Sequence, residues 1–192
     1  MWKLVPIKIK YGLPAALSIL LYLIYNGLFH LEIIKSISYT VSTLTFLAWL
    51  FGKHLWKYCY CDFFKKHFCP DFNGKWIASV SSNHNGATLV EFPVHIDADF
   101  FSIKMKGETT IGRTYADYCR VVRTEDDGFE LVYMFKVIND TPSDTDTYFY
   151  EGAARLRVID IKSMHMRGVF WTNRCWQNGK NTAGTITFTK VF

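Results

Sequence analysis

The chain has 192 residues, 49% of them hydrophobic and 17% aromatic, which is the size of one ordinary domain and excludes a large multidomain enzyme. Its 22 Lys+Arg against 17 Asp+Glu leave a net charge of +5, and the distribution decides what that means. Residues 1–70 hold eight lysines against Glu32 and Asp62, a net +6, while the other 122 residues carry 14 basic and 15 acidic groups; the basic excess therefore does not mark a domain for DNA or RNA.

The first apolar run, Tyr11 to Phe29, has 19 residues without an ionisable acid or base. That is enough to cross about 30 Å of hydrocarbon as a helix. Lys3, Lys8 and Lys10 ahead of it resemble the basic region of a secretory signal, but no small-x-small cleavage site precedes the next apolar run. The second run, Ser36 to Phe51, has 16 uncharged residues. It spans only if Lys35 snorkels outward and Trp49 and Trp56 sit at the interface. Two spans, about 11–29 and 34–51, are expected as a tight antiparallel hairpin within residues 1–56.

Lys35 and Glu32 share the short connection, whereas the N-terminal arm has three lysines and the segment after the second run has Lys53, Lys57, Lys65 and Lys66. The excess of Lys on cytoplasmic flanks places both termini in the cytoplasm. Ser38, Ser42 and Thr45 recur at i, i+4, i+7, a face suited to helix association in lipid; hydroxyls bonded to their own backbone give the plainer reading. Residues 57–72 read as a basic, aromatic juxtamembrane linker against anionic lipid. Its Cys59, Cys61, His67 and Cys69 do not have the spacing of a standard zinc knuckle, so reduced thiols are expected and no metal or cofactor.

From Asn73 onward the pattern changes to alternation punctuated by Gly, Asn and Asp. Eight strands are predicted: Lys75–Ser81, Thr88–Ile96, Phe100–Lys106, Tyr115–Thr124, Phe129–Ile138, Thr147–Val158, Ser163–Thr172 and Gly184–Val191. Short turns such as Asn83-His84-Asn85-Gly86, Asp97-Ala98-Asp99, Asp126-Asp127-Gly128 and Gln177-Asn178-Gly179 favour an antiparallel meander, hence an eight-stranded up-and-down barrel over residues 73–192. Alternation puts Phe129, Leu131, Tyr133, Phe135 and Val137 on one face. It does the same for Tyr148, Tyr150, Gly152, Ala154, Leu156 and Val158, opposite Glu151, Arg155 and Arg157. Gly152, Ala153, Ala154, Gly168 and Gly184 suggest open space inside, although glycines also bend barrel strands. Asn73-Gly74-Lys75-Trp76 resembles the opening of lipocalin-like barrels, where an aromatic plugs one end.

No nucleophile elbow, zinc-protease helix, phosphate loop or dinucleotide fingerprint occurs, and no enzyme is expected. His84, His95 and His165 have no telling neighbours, and Asp140, Asp144 and Asp146 read as a solvated loop rather than a calcium site. Residues 168–187 concentrate flat aromatics, an arginine, and amide and hydroxyl groups. Arg174 suits phosphate, Tyr150 and Trp171 suit stacking on bases, and Thr172, Asn173, Thr182 and Thr185 suit hydrogen bonds. Arg155 and Arg157 are second-rank candidates, and a plain hairpin with core aromatics is the competing reading.

Two short spans, a basic aromatic linker, Gly-Lys-Trp at residues 74–76, Tyr-Phe-Tyr-Glu-Gly-Ala-Ala at 148–154, Gly-Val-Phe-Trp-Thr-Asn-Arg at 168–174 and Thr-Ala-Gly-Thr-Ile at 182–186 resemble the two-transmembrane, β-strand-rich effectors associated with CD-NTases in bacterial CBASS antiphage operons. The resemblance implies a cytoplasmic barrel on an inner-membrane anchor that binds a cyclic dinucleotide made by the partner nucleotidyltransferase. Binding then drives homo-oligomerisation, membrane disruption and death of the infected cell. A membrane-anchored lipocalin-like carrier of an apolar ligand is the alternative from residues alone, and a protein-binding scaffold is a third. The 122 residues after position 70 carry a net −1, so the barrel has no positive field and an anion has to be held by a few placed groups such as Arg174.

Overall fold

The computed structural model describes residues 1–58, 65, 68–83, 89–142 and 146–192. Two N-terminal apolar helices are followed by a closed antiparallel barrel in which each strand pairs with its sequence neighbours and the last returns to the first. Helix α1 (Ile7–Leu23) runs into a π turn (Ile24–Leu28), and α2 covers Ile33–Lys53.

The two apolar stretches, Ile7–Leu28 and Ile33–Lys53, have mean hydropathy 1.5 and 1.3 and are candidate membrane spans. Both exceed the uncharged runs because Lys8, Lys10, Lys35 and Lys53 are helical at their ends. Twenty-one residues rising about 1.5 Å each reach about 30 Å. Within the hairpin, Ser36 and Thr40 are buried and Tyr25 and Thr43 share a hydroxyl hydrogen bond of 2.8 Å. A second hydroxylated face, Ser38, Ser42 and Thr45, is exposed, with Thr45 Oγ1 donating to its own helix at Val41 O.

The strands are β1 (Gly74–Ser82), β2 (Leu89–Ala98), β3 (Ile103–Thr109), β4 (Gly112–Arg123), β5 (Phe129–Asn139), β6 (Phe149–Asp160), β7 (His165–Thr172) and β8 (Ala183–Val191). All eight expected strands exist. The third begins at Ile103 rather than Phe100 because Asp99 Oδ1 accepts from the Phe101 and Ser102 amides, holding residues 99–102 as a turn. Tyr148 is not on the inward face; it precedes β6 and is exposed. Of the expected turns, His84, Asn85 and Gly86 lie outside the described residues, as do Asp144, Cys59, Cys61 and His67.

The two barrel ends differ. At the end where β1 begins, Trp76, Phe72, Phe129, Leu131, Leu156, Met166 and Phe188 are fully buried. Trp76 Nε1 donates to Phe72 O at 2.9 Å, Lys190 Nζ lies 5.8 Å above the indole, and Met1 and Trp56 join the same core. This end also meets the helices. The Trp2 amide donates to Phe100 O at 2.8 Å and the Phe100 amide to Gly52 O at 3.2 Å, Lys53 pairs with Asp99, and Gly52 is packed so tightly that a Cβ there would overlap the Phe101 ring. Burial works to raise the Asp99 pKa, but hydrogen bonds from Lys53, Ser102 and Phe101 outweigh it and hold the carboxyl below its ordinary value.

The inward glycines do not make the interior hollow. A Cβ on Gly168 would fall 1.8 Å from Arg155 O and one on Gly184 2.0 Å from Ser81 O, so both permit close approach of neighbouring backbone where the wall bends.

Candidate functional site

At the end away from the helices the core stops and a cavity of about 360 Å³ begins, lined by residues of all eight strands. That is near the lower end of the range of about 300–1,000 Å³ usual for small-molecule sites. Its depth is apolar, with Val80, Phe92, Val94, Tyr133, Phe135 and Phe188 on the walls. Burial first, and the nearby Cys119 thiol second, drive the Tyr133 hydroxyl far above its ordinary pKa. Its polar groups are Ser82, Thr109, Thr110 and Thr114 on the side of β1, β3 and β4, and Asn139, Tyr150, Thr172, Arg174 and Thr182 where β5, β6, β7 and β8 end or begin.

Alternation explains which of the expected residues meet there. Thr172 closes β7 facing inward, so its neighbours Trp171 and Asn173 face outward. Trp171 is 52% exposed on the outer wall, beside Ala153 and Ala183 on the adjacent strands. Asn173 is exposed and its carboxamide accepts from the Glu151 amide at 2.7 Å. Thr185 is exposed on the outer face of β8, as are Arg155 and Arg157 on β6, paired with Glu130 and Asp126. Four of the expected residues, Tyr150, Thr172, Arg174 and Thr182, therefore share the cavity.

Thr172 and Thr182 are buried and joined by a hydroxyl hydrogen bond of 2.7 Å, which staples the β7–β8 connection. The Arg174 amide donates to Thr172 Oγ1 at 3.3 Å, setting the second residue of that connection over the cavity. The Arg174 guanidinium lies 5.7 Å from the Tyr150 ring centre, within cation–π range. Burial raises the Tyr150 phenol pKa, against the lowering effect of Arg174.

Arg174 is already engaged. Its Nε donates to Asp146 Oδ1 at 2.7 Å and its Nη2 to Oδ2, a two-point pair between a guanidinium 23% exposed and a carboxylate 4% exposed. Burial works against the cation, but the Asp146 hydrogen bond and charge outweigh it and raise the Arg174 pKa. Asp146 thus does not belong to a solvated loop. The fully buried Asn139 donates Nδ2 to Asp146 Oδ2 at 3.1 Å and to Thr147 O at 2.9 Å. Two acceptors on one nitrogen settle the amide's orientation, since a flip would set its oxygen against both. Its Oδ1 has no hydrogen-bond partner. Sequence reasoning did not single out Asn139 and took Asp146 for part of a solvated loop; the available signal was the inward parity of Asn139 at the end of β5.

No protein-family model matches the chain. It is 66% identical over 190 residues to CD-NTase-associated protein 15 of Escherichia albertii, covering 99% of this chain and 98% of that protein.

Proposed function

The chain belongs to the CD-NTase-associated protein 15 family, and on that premise we propose that this CBASS-associated effector is a non-enzymatic receptor. Its barrel binds a cyclic dinucleotide made by the partner CD-NTase, binding drives homo-oligomerisation, and the clustered hairpins disrupt the bacterial inner membrane and kill the infected cell. The two candidate spans anchor the chain, and the lysines flanking them orient both termini and the barrel toward the cytoplasm.

One observation carries the reading: a guanidinium sits over an aromatic ring at the rim of a barrel cavity. In such an arrangement Arg174 bonds phosphate in a forked geometry, Tyr150 offers a face to a base, and the Thr172 and Thr182 hydroxyls offer hydrogen bonds. A ligand shifts an equilibrium only by its differential affinity for two states, so a dinucleotide that binds associated barrels more tightly clusters the helices by linkage. Trp171 and Thr185, on the outer wall, stand outside the cavity.

The test is a thermal-shift and calorimetric titration of the full chain in lipid nanodiscs with cyclic di-AMP, cyclic di-GMP and cyclic UMP–AMP, alongside palmitate. At least one dinucleotide raises the wild-type melting temperature by mass action. Arg174→Gln weakens that dinucleotide by about 2 kcal/mol or more, roughly 30-fold, as expected for losing one partner of a desolvated charge pair. No response to any dinucleotide overturns the reading. A response to palmitate alone transfers the cavity to an apolar ligand, which its aliphatic and aromatic walls would also suit.

A further inference from the structure

Arg174 is the cation among the described residues that line the cavity, and its fork is filled by Asp146. Asp146 also accepts from Asn139 Nδ2 and from the Thr147 amide at 2.8 Å. Four N–H groups therefore converge on one buried carboxylate. A planar anion held by a guanidinium fork, a carboxamide and a backbone amide is the same donor arrangement that binds a phosphate. Asp146 balances the charge of Arg174, so that among the described residues lining the cavity a doubly anionic ligand meets no unpaired cation.

We propose that Asp146 is a built-in anion that keeps the site closed, occupying the place of the ligand's phosphate and yielding Arg174 and Asn139 to it on binding. This rests on the reading of the cavity as an anion receptor and adds its regulation. Asp146 lies in the connection between β5 and β6, outside the strand ladders, so its displacement breaks no sheet hydrogen bond. Exchange of one anion for another keeps the Arg174 and Asn139 donors satisfied before and after, which lets the switch proceed without leaving Arg174 buried and unpaired. It also sets a threshold: ligand must out-compete a carboxylate tethered at high effective concentration, so stray phosphates at low concentration leave the receptor off.

The opposite role for Asp146, a strut that orients Arg174 for the ligand, predicts the opposite effect of its removal. Neutralising Asp146 costs the unliganded protein stability, because a buried cation loses its partner; only the affinity for anions separates the two roles. The experiment is a titration of full-length wild type, Asp146→Asn and Asp146→Ser in nanodiscs with the three cyclic dinucleotides and, separately, with inorganic diphosphate. Expected is a lower melting temperature without ligand together with a Kd at least tenfold lower for whichever dinucleotide wild type binds, and for diphosphate. The smaller Ser variant serves if the Asn variant does not fold. An equal or higher Kd in the variants overturns the latch while leaving the receptor reading intact, provided wild type binds a dinucleotide. If wild type binds none, that reading fails, and the diphosphate titration decides the latch alone.

Discussion

Filling the cavity from within separates a ligand held inside the barrel from one held on its wall. Ala116 lines the cavity and pairs with Phe135 across β4 and β5, and Phe135 pairs with Gly152, one inward layer below Tyr150. Ala116→Phe adds a ring of roughly 100 Å³ at protein packing density to a space of about 360 Å³. Burying that ring is worth at most about 2 kcal/mol at 25 cal/mol per Å², and partial overpacking takes back about 1–3 kcal/mol. The two nearly cancel, so barrel stability, followed by circular dichroism in guanidinium, changes by no more than about 1 kcal/mol. The volume lost is about that of one base, and affinity for the activating dinucleotide falls about 100-fold or more, equivalent to about 2.7 kcal/mol. Calorimetry on the full chain measures it. An unchanged Kd in a folded variant refutes binding inside the barrel and moves the ligand to the outer wall, where Trp171 and Thr185 stand.

Two further outcomes test the closed end and the wall. Trp76→Ala leaves Phe72, Phe188 and the Lys190 ammonium around a void and costs about 3–5 kcal/mol of barrel stability by chemical denaturation; a loss under 1 kcal/mol would mean that the plug is not part of the cooperative core. Burial pushes the Cys119 thiol up to about 12, so the folded protein binds the thiol proton where an unfolded chain releases it near 9. Iodoacetamide at pH 8.5 therefore labels Cys119 roughly a thousandfold more slowly in the native protein than in urea, as read by peptide mass spectrometry; comparable native labelling would show the site to be solvated.

The barrel was legible because its strands obey period two and end at residues that turn. Phe129 through Val137 and Tyr150 through Val158 point inward as their alternation requires. Boundaries slipped where a side chain captured backbone amides, as Asp99 does before β3, since such capture leaves no trace in periodicity. The inward glycines were ambiguous because a hollow interior and a bent wall both call for a missing Cβ; only the neighbouring carbonyls, Arg155 O and Ser81 O, decide it. For the site, parity was the stronger instrument: Trp171 and Thr172 are consecutive in a strand and cannot face one cavity together. The Arg174–Asp146 pair was not legible, because 28 positions separate partners that meet only when β5, β6 and β7 stand side by side.

The arrangement of the two ends constrains how a bound ligand reaches the membrane. The helices are fastened to the packed end, through Gly52 against Phe101, Lys53 against Asp99 and Trp2 against Phe100, while the cavity opens at the opposite end. Trp76, Phe72, Phe129 and Leu156 fill the space between, and a close-packed interior has few alternative arrangements through which a local change at the rim could be relayed. On the proposed reading, the economical route is then for each barrel to stay rigid and for the ligand to act on association. Asp146 leaves the rim with the strand ladders intact, the ligand-bearing rim meets a second barrel, and each barrel carries its clamped hairpin with it. Each new contact raises the effective concentration of spans in the membrane plane, where the exposed Ser38, Ser42 and Thr45 face gives neighbouring hairpins a place to pack. Membrane damage is thereby tied to the number of barrels assembled rather than to a motion within any one of them.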